Sequence, residues 1–297
     1  MHELLLFAQV PATRHEQLLK IIAGVAGMQP RRLLERHLLF KPKRAPGSTS
    51  GLVGGSQGIA NQQAQALQGQ LQGELFYLQL VGEVEESQFP DAGDVKHPSA
   101  GGDTVMLDVS EERETSGEKQ AGETNGVHAA QSYDFERQSW TLRFNDLPEV
   151  AGRRPVTSRA ISGVEIVDGD GMGFMDAFGY DYLSEYVLEG HRLIYNNIVL
   201  LLHRVMLLPM SGTASSADST SAGPSSGPAR HLPNFQSLEA LDPTGTYLLQ
   251  ASLRVQDGSK PEAMTLGINE LKAFKDMMKG VVDLEVGDRL ALDTRMR

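Results

Sequence analysis

The chain has 297 residues, a formal net charge of −11 and no cysteine, which together exclude a disulfide scaffold, a thiolate metal site and a cysteine nucleophile. No apolar run approaches the roughly 18 residues of a spanning helix, and Met1 to Val10 lacks the basic leader and small-residue cleavage site of a secretory signal. The acidic balance argues against wrapping nucleic acid by phosphate neutralisation, and one Trp with 6% aromatics gives little material for base stacking.

Taken in chain order, Leu4–Val10, ended by Pro11, predicts a short buried strand. Thr13 with Glu16 at the capping-box spacing opens an amphipathic helix through Leu18, Leu19, Ile21, Ile22 and Val25, closing near Gly27. Arg31–Lys43 alternates and predicts a strand, as does Glu74–Glu85. In Ser139–Asn145, Trp140, Leu142 and Phe144 fall on one buried face, and Val156–Asp168 continues the pattern. Within Phe174–Pro209, Tyr182, Ser184, Tyr186 and Leu188 share a face, and Gly190 and Asn196-Asn197 offer turn chemistry before a long apolar strand, Ile198–Leu208. Tyr247–Gln256 predicts another strand. Ile268–Lys279 predicts a helix with Gly280 as its C-cap, and Val281–Leu292 a closing strand.

Three stretches interrupt this pattern, at 44–72, 86–132 and 210–232. Rich in Gly, Ser, Gln or acid, they lack the apolar surface that offsets chain entropy and are predicted to be disordered insertions. For Asn61–Gln72 a short Ala/Gln helix is the alternative. The second insertion holds ten acidic residues against Lys96, Arg113 and Lys119, so most of the net charge belongs to it. The remainder suits one domain, 1–297, since long insertions add little closure entropy. Many antiparallel strands, two helices and no βαβ alternation predict a mostly β fold, a closed or nearly closed β-barrel with flanking helices.

Motifs for chemistry are absent. Gly169-Asp170-Gly171-Met172-Gly173-Phe174 has the wrong third-glycine spacing for a dinucleotide loop and no following Lys-Ser/Thr, so it is taken as a flexible turn. Asp168 and Asp170 lack the rest of an EF-hand. Glu83, Glu85 and Glu86 fit a solvated strand end better than a divalent-ion site. The eight histidines form neither H-x-x-x-H nor HExxH. His203-Arg204 fits either a partner-facing pair or a hydrogen-bonded core His beside a snorkelling Arg, and Lys41-Pro42-Lys43-Arg44 a solvated strand end or a weak nuclear-import patch. No catalytic, cofactor-binding or metal-binding residue is nominated.

Resemblance carries further. The opening MHELLLFAQVPATRHEQLLKIIAGVAGMQPRRLLERHLLFKPKR, the pair WTLRFNDLPEVAGRRPVTSRAI and FGYDYLSEYVLEGHRLIYNNIVLLLHRVMLLP, and the terminal Asp283–Arg297 resemble the family of Mediator of RNA polymerase II transcription subunit 18 in its fungal form. The likeness lies in Gly179-Tyr180, Tyr186, Gly190-His191-Arg192 and the run into Ile198–Leu208, and the insertions are unmatched. It implies a multistranded antiparallel β-barrel, triphosphate-tunnel-like, acting as a non-catalytic interaction subunit. It further implies pairing with Mediator subunit 20, anchorage by subunit 8 in the head module, and a nuclear coactivator role with RNA polymerase II, without sequence-specific nucleic-acid contact or membrane. A metal-dependent triphosphatase barrel is a rival reading, although the E-x-E-x-E strand is missing and an apolar interior is expected. A small-ligand barrel is a third.

Overall fold

The computed structural model describes residues 1–43, 75–90, 133–150, 155–166, 170–209 and 227–296. The first insertion, the alternative helix at Asn61–Gln72, and most of the second and third insertions lie outside these residues. The strands are β1 (His2–Val10), β2 (Arg31–Pro42), β3 (Leu78–Glu83), β4 (Trp140–Asn145), β5 (Thr157–Ile166), β6 (Tyr180–Tyr195), β7 (Ile198–Leu207), β8 (Glu239–Ala240) and β9 (Tyr247–Val255). The helices are α1 (His15–Ala26), α2 (Gly171–Ala177) and α3 (Pro261–Met278). The strand order β6-β2-β3-β4-β5-β1-β9-β7, with β7 also pairing β6, closes an antiparallel ring of eight strands, and β8 adds to β7. Closure leaves no long free edge. No described helix is long and apolar enough to cross a membrane.

Residues paired across strands share a face, so the registers divide the sheet into two surfaces. On one, Leu4, Leu6, Leu200, Leu202, Leu249 and Leu253 meet Leu18 and Ile22 of α1 and Leu271 and Phe274 of α3. Elsewhere on that same surface, Leu38, Phe40, Leu80, Trp140, Leu142 and Phe144 meet Met175 and Phe178 around α2. These helix-covered patches form the convex outside of the barrel. The opposite surface, with His37, Gln79, Arg143, Tyr186 and His203, lines the lumen.

Several expectations change. The Thr13 capping box does not form: Ala12–Arg14 is a 3-10 turn, and the N-cap of α1, Arg14, makes no side-chain cap bond. Gly27 closes α1 in the left-handed conformation, as its lack of a Cβ allows. The described part of that loop, 170–174, is instead the start of α2, because the Asp170 carboxylate accepts from the Met172 N–H at 2.8 Å and caps the helix. Gly171 lies against Trp140, where a Cβ would fall 2.9 Å from the indole. Gly190 is no turn. It sits inside β6, so close to β7 that a Cβ would lie 2.3 Å from the Leu202 carbonyl oxygen. The hairpin turns at Asn196, with φ 51°.

A bulge between Leu39 and Phe40 shifts β6, so Tyr182 pairs with Phe40 and leaves the face of Ser184 and Tyr186. The helix near the C-terminus begins at Pro261, seven residues before the apolar stripe suggests, because proline is favoured in a first helical turn. Residues 281–292 form no strand; their one backbone pairing with β1 among the described residues is the bridge Phe7–Glu285. Two insertion edges are packed: Phe89 and Leu232 are buried in the core beside α2.

Candidate functional site

Inside the barrel, five strands bring together Glu35 and His37 (β2), Gln79 (β3), Arg143 (β4), Tyr186 (β6) and His203 (β7). Strand alternation is the local cause, since each occupies the lumen-facing parity of its strand. Arg143 donates to both Glu35 oxygens, at 3.1 and 3.2 Å, reaching past the intervening strand as only a concave wall allows. His37 Nε2 lies 3.2 Å from Glu35, and its Nδ1 lies 3.3 Å from both the Tyr186 hydroxyl and Gln79 Oε1. The rings of His37 and Tyr186 stack at 4.7 Å. With Nε2–H donating to the carboxylate, Nδ1 accepts from the Tyr186 hydroxyl.

These contacts set the electrostatics. Burial would raise the Glu35 carboxyl, but the His37 hydrogen bond and the Arg143 guanidinium outweigh it and hold the group down to about 2. Burial, and secondarily the Glu35 charge, push Tyr186 up to about 12. His203 is only 8% exposed, and neither ring nitrogen has a hydrogen-bond partner. Burial first, then His37, brings it down to about 4. It is therefore neutral near pH 7, one donor and one acceptor both unmet. The expectation of a hydrogen-bonded core His fails here. Its neighbour Arg204 points outward, donates to Glu189 at 2.8 Å and covers the Tyr247 ring.

The lumen is thus not the apolar interior expected from the sequence. It has a polar wall assembled from positions spread over 169 residues, which no local spacing motif can reveal. The only advance signal was the lone His203 within an apolar strand. The acidic run is dispersed: Glu83 binds Arg31, Glu86 binds Arg32 at 2.9 Å, and Glu85 caps the 3-10 turn Glu86–Gln88. Lys43 pairs with Asp176. Among the described residues, no three or more His, Asp or Glu side chains are placed to hold a metal ion.

A second buried polar centre lies on the outside. Arg36, fully buried, donates to Glu185, to the Tyr133 hydroxyl at 2.9 Å and to the Ala229 carbonyl, and its guanidinium lies 5.3 Å from the rings of Tyr133 and Phe135. Glu185 in turn accepts from the Ala229 N–H at 2.9 Å. Tyr133, just after the second insertion, and Ala229, inside the predicted bounds of the third, are therefore pinned at one point on β2 and β6. Nearby, Phe89 meets Phe235 edge to face at 5.4 Å.

A family model described as Med18 protein matches residues 2–295. The chain is 41% identical to Mediator of RNA polymerase II transcription subunit 18 of Aspergillus niger over 298 residues, and 40% identical to the Coccidioides immitis protein of that name over 297, with 100% of both chains covered in each case. It shares its fold with a chain of the Schizosaccharomyces pombe Mediator head module, at a TM-score of 0.58 and 16% identity, over 97% of this chain and 99% of that one. A family model that matches from residue 2 to 295, and a sequence alike from end to end, lead to one assignment: the chain belongs to the Med18 protein family.

Proposed function

We propose that the protein is a non-catalytic structural and interaction subunit of the Mediator head module, serving RNA polymerase II transcription in the nucleus. It pairs with subunit 20, is anchored by subunit 8, and makes no sequence-specific contact with nucleic acid. The single observation that carries this reading is the family match across residues 2–295, joined to end-to-end identity of about two residues in five with proteins named Mediator subunit 18. We read the chain as one barrel domain from which 44–72, 86–132 and 210–232 are excursions. Co-expression with subunits 20 and 8 tests the assignment. A single complex of all three is expected on gel filtration, and elution of this chain alone, with both partners folded, would overturn it.

A further inference from the structure

The inner wall of the barrel is supplied unevenly with hydrogen-bonding groups. Of the carboxylates on this face, Glu35 is committed to Arg143 and His37, Glu3 to Arg159 and Glu83 to Arg31, and Glu165 is exposed. Donors remain in excess. His203 has an N–H without an acceptor, and Arg143 uses only two of its five N–H groups on Glu35. Thr141 and Gln250, lumen-facing by register and half-exposed, have no side-chain partner among the described residues. Arg192, exposed and on the same wall opposite Leu201, has no ion-pair partner there either.

The wall also leaves room. Gly163 stands opposite Arg143, and a Cβ there would meet nothing nearer than 3.9 Å. Tyr186, Leu201 and Gln250 are half-exposed although they face inward, so solvent reaches this space. A buried imidazole with both nitrogens unmet carries an uncompensated desolvation cost, and such an exception in a native protein calls for a partner, an ion or water among the candidates.

We propose that the lumen between His203 and Arg143 is a binding site for a small oxyanion, a phosphate or a carboxylate. Acceptor oxygens meet the free donors of His203, Arg143, Thr141 and Gln250, and Arg192 at the mouth draws the anion in. Arg143 balances Glu35, so the carboxylate the approaching charge still meets is Glu165, which stands opposite Thr141 on the same wall, exposed and without an ion-pair partner among the described residues. The bound anion also favours the imidazolium form of His203, so binding takes up a proton and tightens as pH falls.

Isothermal titration of the full chain with inorganic phosphate, pyrophosphate and citrate, at pH 6 and pH 8 and with chloride as control, tests this. Saturable binding is expected, stronger at pH 6, with proton uptake visible as a dependence of the heat on buffer. Phosphate or pyrophosphate without citrate assigns a phosphoryl ligand, and citrate alone a carboxylate. His203→Leu removes both nitrogens without leaving an unmet polar group, so the fold survives while affinity falls by about tenfold or more. Arg192→Gln, an exposed change, weakens binding as well. Absence of saturation up to about 10 mM with every probe, or equal affinity in His203→Leu, would sink the proposal.

Discussion

His203 couples the barrel to pH by a route whose sign can be worked through. An ordinary imidazole charges near 6.5, whereas the folded group is held down to about 4, by burial above all. The unfolded chain therefore binds this proton first, and the stability tied to the neutral ring is present above 6.5 and lost as pH falls toward 4. The full effect is at most about 3 kcal/mol. His15 and His191 are lowered for the same reason, burial, and add in the same direction. Glu35 acts lower on the scale. Its depressed carboxyl contributes stability that is complete above its ordinary 4.5 and lost as pH falls toward 2. Urea unfolding between pH 7 and 5 should therefore show a midpoint that falls, with most of the slope removed by His203→Leu. An unchanged slope in that variant would place the titration elsewhere.

At the level of elements, Arg36 holds together pieces that the chain separates widely. Its guanidinium ties Glu185 of β6 to Tyr133, just after the second insertion, and to Ala229, near the end of the third. Removing the cation leaves Glu185, only about a tenth exposed, as a buried charge without its partner. Breaking such a pair from one side costs about 3–5 kcal/mol, so Arg36→Ala should lower the urea midpoint strongly and expose 133–137 and 227–238 to protease. An Arg36→Met variant, which fills much of the volume but still strands Glu185, should recover little unless Glu185→Leu is added. Part of this element-level picture is legible in the sequence. Trp140, Leu142 and Phe144 announce β4 because period-two alternation needs only one buried face. β2 and β6 conceal their orientation because both faces are partly buried, and an unseen bulge moves Tyr182. α2 was hidden by glycines at its first and third positions, although Asp170 was a usable capping signal.

At the scale of the whole molecule, the ring closes by pairing β6 with both β2 and β7, and the chain's end then seals a seam that the strands leave open. β1 pairs with β5 only over His2 to Leu5. Beyond that point the backbone of Phe7 exchanges bonds of 2.8 and 2.7 Å with Glu285. The segment continues around the rim: the Gly287 N–H donates to Thr157 Oγ1, Arg289 Nε to the Pro148 carbonyl and Thr294 Oγ1 to the Asn145 carbonyl, before Phe76 bridges Arg295. Local pattern suggests a strand here because Val282 and Leu284 are apolar and buried, but those side chains serve the α3 face while the later residues act through single bonds. A strap of this kind satisfies backbone groups of β1 and of the residues just before β3 that would otherwise face water at the rim, and each such bond is worth about 1 kcal/mol net. Ending the chain after Leu284 should therefore lower the melting temperature by several degrees, since about 1 kcal/mol shifts a domain of this size by roughly 2–4 °C. Amide exchange should accelerate at Phe7 and Tyr77, whose N–H groups lose the Glu285 and Thr294 carbonyls, while β6 and β7 stay protected. Uniform acceleration across the sheet would instead mean that the strap holds the entire ring closed.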